Sequence, residues 1–320
     1  MTTRRLIDPA GAVFGIALPI ATAVAAVLLT IAWEPRLPAE IATHWSGPNP
    51  DGFASPMSNA WTIALIILLV GGGCSAIAAL AQAMLMMRRY MLVTGLGVTG
   101  LLATIHVTML VAQLDLADAT QAQLPMWSIG LGIAIGVAVG FVGAASLRDF
   151  RERVPATDAP DAQLPRGRVE LPIVDQVGTG ARTTAVLALV VLGPAMLACL
   201  AADSWWPLAV FLPVGGLVLS LLRFRVTVDD SGIRVRNLCM TAIEYELDEM
   251  IGAKVTETRP FQDWGGWGLR AKGRGRYGLV TITGPALVFT TAGGQEFTVT
   301  TSRAQEMAGA LNSLADSRTS

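Results

Sequence analysis

Residues 61–89 read WTIALIILLVGGGCSAIAALAQAMLMMRR. No charged residue interrupts this stretch until the closing pair, Arg88 and Arg89. A helix needs ~20 apolar residues to cross a bilayer core. Lipid offers the backbone no hydrogen-bond partner, so such a stretch must be helical. Working outward, comparable apolar stretches occupy 10–33, 91–112, 126–147, 184–202 and 207–222. Arg4 and Arg5 precede the first. Arg148, Arg151 and Arg153 follow the fourth, Arg182 precedes the fifth, and Arg223 and Arg225 follow the sixth. The opposite connections hold Arg36 together with Glu34, Glu40, Asp51, Asp115, Asp118 and Asp203. The pattern predicts an α-helical multi-pass membrane protein of about six spans, with both termini cytoplasmic.

Composition agrees. The 320 residues are 52% hydrophobic and 15% charged, well under the quarter charged that is usual for a soluble domain. The net charge of −1 gives no bulk basic character and no pointer to nucleic acid. The first span is too long for a signal-peptide core and reads as an uncleaved anchor. Cys74 and Cys199 fall inside spans and read as packing residues, and Cys239 falls in the tail. Their spacing is neither a disulfide framework nor a zinc site.

Four regions follow from the pattern. Residues 1–147 form a four-span membrane domain with a structured outer loop at 34–60. Residues 148–183 are a polar linker whose run from Val154 to Asp161 reads as a flexible tether. Residues 184–222 form a two-span hairpin, its turn marked by Trp205 and Trp206 at interfacial depth. Residues 223–320 are mainly β. Strands are expected at 224–228, 233–236, 241–247, 250–257, 278–283, 286–291 and 295–300, with a turn at Ala292-Gly293-Gly294. A helix at 303–315 carries Met307, Leu311 and Leu314 on one face. Together these predict a small barrel or sandwich closed by a helix. In the fourth span Gly132, Gly136 and Gly140 recur every four residues, a spacing that serves either packing within the chain or dimerisation.

The outer loop contains Pro38, then Thr43-His44-Trp45, then Pro50-Asp51-Gly52-Phe53. These residues resemble the signature of a bacterial membrane domain of unknown function, found at the N-terminus of SdpI-type immunity proteins, although Pro56 stands where a lysine often follows. The tail is similar to bacterial pleckstrin-homology-like domains tethered to membranes. The segment from Asp263 to Arg270, with Trp264, Trp267 and three glycines, carries that likeness. Neither resemblance implies a reaction or a cofactor.

Among candidate sites, His44 lies in the loop with Glu40 and Asp51. The loop's prolines favour a rigid shape, so a structural or recognition role leads, with pH sensing and weak metal binding as alternatives. Asp51-Gly52 reads as a turn. His106 lies mid-span, as a proton or substrate route or as an interhelical hydrogen bond. Gln113 reads as a snorkelling or capping group or as a pathway residue. Arg270, Lys272, Arg274 and Arg276 alternate with small residues. If extended, they share one face and form a lipid-facing patch; the alternative is a solvated, glycine-loosened loop. No nucleophile elbow, zinc helix or dinucleotide fingerprint occurs, so no catalytic residue, metal or cofactor is expected.

The expectation is a non-enzymatic protein of the bacterial plasma membrane. Its outer loop would recognise something, and its pleckstrin-homology-like module would bind protein or lipid, in envelope stress, immunity or assembly. The expected partners are membrane lipid and another membrane or envelope protein. The alternatives are a small transporter or channel component, and an integral-membrane enzyme.

Overall fold

The computed structural model describes residues 5–319 apart from Pro48, Leu124, Val169, Ser204 and Cys239. The flanking residue Arg4, the loop residue Pro48, the turn residue Ser204 and the tail cysteine Cys239 therefore lie outside the described residues. The chain divides into two units, 1–151 with 201–210 and 152–200 with 211–320.

In the first unit, α1 runs Pro9–Arg36, α2 Pro56–Ala79, α3 Leu85–Val111 and α4 Trp127–Ser146. Each is long and apolar enough to cross a membrane. Between α1 and α2 lie two short antiparallel strands, β1 Ile41–His44 and β2 Gly52–Ala54. The helix starts are written locally. Asp8 caps α1 and Ser55 caps α2, each followed by a proline that fits the first helical position.

Bare backbone packs α3 on α4. A Cβ on Gly136 would lie 2.2 Å from the Leu96 carbonyl oxygen, and one on Gly100 would lie 2.7 Å from that of Gly132. The glycine repeat of the fourth span is thus used within the chain.

Arg88 and Arg89, which close the second apolar stretch in the sequence, lie inside the unit. Both are buried, and Arg88 is completely so. Arg88 donates from Nε to the Ala78 carbonyl at 3.0 Å and from Nη1 to that of Arg148 at 2.9 Å, while Nη2 binds Asp8. Arg89 donates to the carbonyls of Ala144 at 2.9 Å and Leu147 at 3.2 Å. The last carbonyls of a helix have no partner within it and sit at the negative end of its dipole. These two guanidinium groups supply both partner and charge at the ends of α2 and α4.

The second unit opens with β3 Ile173–Gly178; α5 Ala181–Ala201 and α6 Trp206–Leu221 follow, with residues 201–210 counted in the first unit. Then follow β4 Arg223–Asp229, β5 Gly232–Asn237, β6 Met240–Glu246 and β7 Met250–Thr258. A short helix, α7 Pro260–Trp264, leads to β8 Gly268–Gly273, β9 Arg276–Val280, β10 Gly284–Thr291 and β11 Glu296–Thr300. Helix α8, Ala304–Thr319, closes the unit. One sheet has the order β3-β4-β5-β6 and the other β7-β10-β11-β9-β8, with β9 and β11 parallel. Tyr245 of the first sheet meets Phe289 of the second edge-on at 5.0 Å, so the two inner faces share a core. Met307, Ala308 and Leu311 of α8 are fully buried.

The linker expectation is corrected here. Residues 152–178 belong to the β unit and are not a tether. Strand β3 pairs along its whole length with β4, from Ile173↔Val228 to Gly178↔Arg223. Upstream, Arg166 makes a two-pronged pair with Asp316 of α8, at 2.9 and 3.0 Å. Its remaining donors bind the Pro160, Asp161 and Leu164 carbonyls. Polar, proline-rich sequence here is a strap held by side-chain hydrogen bonds, which carry no hydrophobic period.

The hairpin is corrected in part. Helix α5 is long enough to span a membrane, but α6 has 16 residues and is not one of the five such helices among the described residues. At 1.5 Å per residue it covers about 24 Å. Because Gly178 pairs with Arg223, both feet of the hairpin stand side by side.

Candidate functional site

The first interhelical loop is built on burial. Ile41 and Ala42 of β1 are completely buried, and Ile41 packs with Met109 and Leu110 of α3, flanked by Trp33, Leu37 and Trp45. The outer edge of β1 is closed by a side chain. Gln113 accepts from the Ala42 N–H at 2.6 Å and donates to the Ala42 carbonyl at 3.1 Å, so its amide acts as one residue of a missing strand. Trp45 donates from Nε1 to the Ala122 carbonyl at 3.2 Å. Arg36 pairs with Asp115, and the Asp115 N–H returns to the Arg36 carbonyl at 2.7 Å.

On this base the motif residues come together. His44 ends β1 opposite Gly52. A Cβ at Gly52 would lie 2.8 Å from the Cβ of His44, which is the packing reason for glycine there. Asp51 donates its N–H to the His44 carbonyl at 3.0 Å, and Thr43 donates its hydroxyl to the Gly52 carbonyl at 3.3 Å. The Asp51 carboxylate faces His44 Nδ1 at 2.6 Å and accepts the Ser46 hydroxyl on its other oxygen. The Ser46 bond, then the His44 bond, hold the Asp51 carboxyl below the usual carboxylate range. Pro38 lies in the approach to β1 and Pro50 immediately precedes Asp51. Phe53 pairs across from Ala42 with its ring exposed.

This Ser–Asp–His order is not that of a hydrolytic triad, in which serine contacts the imidazole. Here the serine contacts the carboxylate. An ionised Asp51 accepts a hydrogen bond from Nδ1–H and leaves Nε2 of an exposed imidazole as the atom that can meet a ligand.

His106 lies apart from this cluster, completely buried among three helices. Its Nε2 lies 3.2 Å from the Ala26 carbonyl and 3.0 Å from the Thr30 hydroxyl, and its Nδ1 faces the Asn59 amide at 3.4 Å. These contacts join α1, α2 and α3 through the ring, the geometry of the interhelical hydrogen bond among the two sequence readings. Gln113 was legible as polar, but not as the clasp of β1, because nothing local links it to residue 42.

The basic patch at 270–276 is rearranged. Arg270 and Lys272 lie on β8, Arg274 sits in the turn with φ 50°, and Arg276 begins β9. The segment is a hairpin and not one extended strand, because Gly273 and Gly275 take positive φ on either side of Arg274. Lys272 lies over the Trp264 ring at 4.8 Å, and Arg276 binds Glu296 at 3.0 Å. Two of the four cations are thus engaged within the domain.

Residues 21–68 match DUF1648, a domain of unknown function. The DUF1648 match covers the second half of α1, the whole β1–β2 loop and the first half of α2. It therefore includes the His44–Asp51 cluster and excludes Gln113 and Ala122, which brace it. No curated protein and no solved structure matches the chain.

Proposed function

We propose that this chain is a non-enzymatic protein of the bacterial plasma membrane, with both termini in the cytoplasm. Its DUF1648 loop recognises an envelope component, and its β unit is a pleckstrin-homology-like module that binds membrane lipid or protein. It would act in envelope stress, immunity or assembly. The observation that carries the reading is the His44–Asp51–Ser46 cluster, an exposed polar group on a completely buried base. A recognition element needs its groups held in place before the ligand arrives. The clasp from Gln113 and the Trp45 hydrogen bond provide that.

The β unit supports the second half of the reading. Four strands in sequence order, β3 to β6, are followed by β7, β10 and β11 in a second meander, and then by a closing helix. This order supports the pleckstrin-homology-like reading, in which the membrane hairpin and the β8–β9 hairpin would be insertions. The arginine bias at span ends supports the cytoplasmic assignment, although Arg88 and Arg89 also serve structure.

A photo-crosslinking residue in place of Phe53 tests the loop reading in intact cells. A discrete adduct with one envelope component is expected. It should vanish in His44→Ala and Asp51→Ala, with membrane levels of the protein unchanged. An adduct pattern that both variants share with the parent would overturn the reading.

A further inference from the structure

We propose that the β unit binds the phosphate of an anionic phospholipid headgroup in a cleft at the foot of the membrane hairpin. The inference rests on the membrane-anchored module proposed above and is independent of the loop reading. The cleft has a volume of about 650 Å³, and its lining includes Gly178, Thr179, Arg223, Arg225, Arg236 and Asn237. That volume is in the range of small-molecule sites.

Three features point to an anion. First, the strand register places Arg225 directly opposite Arg236. Directly opposed like charges on a sheet are destabilising unless something neutralises them. Second, Arg234, the next outward residue of β5, is already neutralised. It binds Glu244 at 2.8 Å and has Asp229 at 3.8 Å. Among the described residues no acid pairs with Arg223, Arg225 or Arg236. The sheet therefore balances its outer face at one row and leaves the row nearest the hairpin cationic. Third, all three arginines are exposed into the cleft and come from two adjacent strands, and planar guanidinium groups bind phosphate in two-pronged fashion.

Position selects the source of the phosphate. Gly178 and Arg223 are the paired feet of the hairpin, and α5 begins at Ala181. On α5 the side chains of Val186, Leu189 and Val190 are mostly exposed, as lipid-facing residues are. The cleft thus lies within a few residues of the point where the chain turns wholly apolar, at the depth of phospholipid headgroups. The neighbouring backbone is open as well, since a Cβ at Gly180 would meet nothing within 4 Å. The hairpin is then a device for holding the cationic row at headgroup level, and the patch at 270–276 is not needed for it.

The test uses the full chain in mild detergent, titrated with phosphatidylglycerol or phosphatidylcholine and read by native mass spectrometry. Retained phosphatidylglycerol is expected, with little phosphatidylcholine. Arg225→Gln/Arg236→Gln should weaken retention roughly tenfold, the factor carried by about 1.4 kcal/mol of lost charge-assisted contact. Arg270→Gln/Lys272→Gln removes the same charge elsewhere in the unit and should leave retention unchanged. Arg225→Lys/Arg236→Lys, which keeps the charge, should retain part of the binding if the glutamine variant fails to fold. Equal retention of the two lipids overturns the proposal, and so does equal loss in the two glutamine variants. Displacement of the lipid by an equal concentration of glycerol phosphate would assign the cleft to a soluble phosphate and overturn the lipid assignment. None of these outcomes bears on the crosslink at the loop, so the two readings fail separately.

Discussion

Asp8 accepts from four donors. Oδ1 takes the N–H groups of Ala10 at 2.9 Å and Gly11 at 3.3 Å, and Oδ2 takes Arg88 and the Arg148 N–H at 3.4 Å. One carboxylate therefore caps α1 and neutralises the guanidinium that closes α2. Removing one partner of a buried pair costs about 3–5 kcal/mol, because the other charge is left stranded. Arg88→Met should accordingly lower the thermal unfolding temperature of the detergent-solubilised protein sharply. Asp8→Asn alone keeps the cap, since asparagine caps well, but strands the arginine. The double variant Asp8→Asn/Arg88→Met is expected to be more stable than the sum of the two single losses predicts, because neither charge of the pair is left stranded. Strict additivity would show that the carboxylate and the guanidinium act independently. The burial of Arg88 was not legible in the sequence, because the positive-inside rule and the capping of helix carbonyls ask for the same residue at the same place.

Among the elements, the β1–β2 hairpin was the least legible. Its prolines and aromatic residues predict order, but the turn expected at Asp51-Gly52 is not there: Gly52 already begins β2, paired with His44. The pairing of Ile41 with Ala54 and of Ala42 with Phe53 has no period that a four-residue strand can display. Its two braces, Gln113 and the Ala122 carbonyl, come from beyond the next two helices. The titration of this element follows from its hydrogen bonds. The folded pKa of Asp51 is depressed, first by Ser46 and then by His44. A carboxylate lowered on folding contributes stability that is complete above its ordinary value and is lost as pH falls through the depressed one. The window is therefore below pH 3.8, the ordinary aspartate value. Mild acidification leaves Asp51 charged. In protein labelled with ¹³C-aspartate, the Asp51 carboxyl resonance should titrate below 3.8, and Ser46→Ala should move the midpoint upward. A midpoint above the ordinary value would contradict the hydrogen bonds assigned to this carboxylate.

At the scale of the whole molecule, the sequence separates the apolar helices from the β tail but misplaces the border between them. The seven strands and closing helix expected from 223 onward all appear, because alternation and turn residues are local signals. Strand β3 was missed although Ile173 and Val177 are buried, since its ladder partner lies beyond two apolar helices and the intervening sequence gives no hairpin signal. The error has a consequence for where the β unit begins. Residues 223–320 alone lack β3, which covers the open edge of β4. They also lack Arg166, which pairs with Asp316, and the Pro165 carbonyl, which accepts from Asn312 at 2.8 Å. An uncovered β4, with Val226 and Val228 in its core face, is an edge prone to pair with other chains. Because Gly178 already faces Arg223, the hairpin can be excised at its feet. A chain of 152–178 joined to 223–320 by Asn-Gly, which favours the tight turn of a β-hairpin, should be soluble and mostly β, and should unfold in one cooperative step in urea. Residues 223–320 expressed alone should aggregate or unfold at a lower midpoint. If the two fragments unfold at the same urea concentration, β3 and the strap contribute nothing to the fold, and the border belongs at 223.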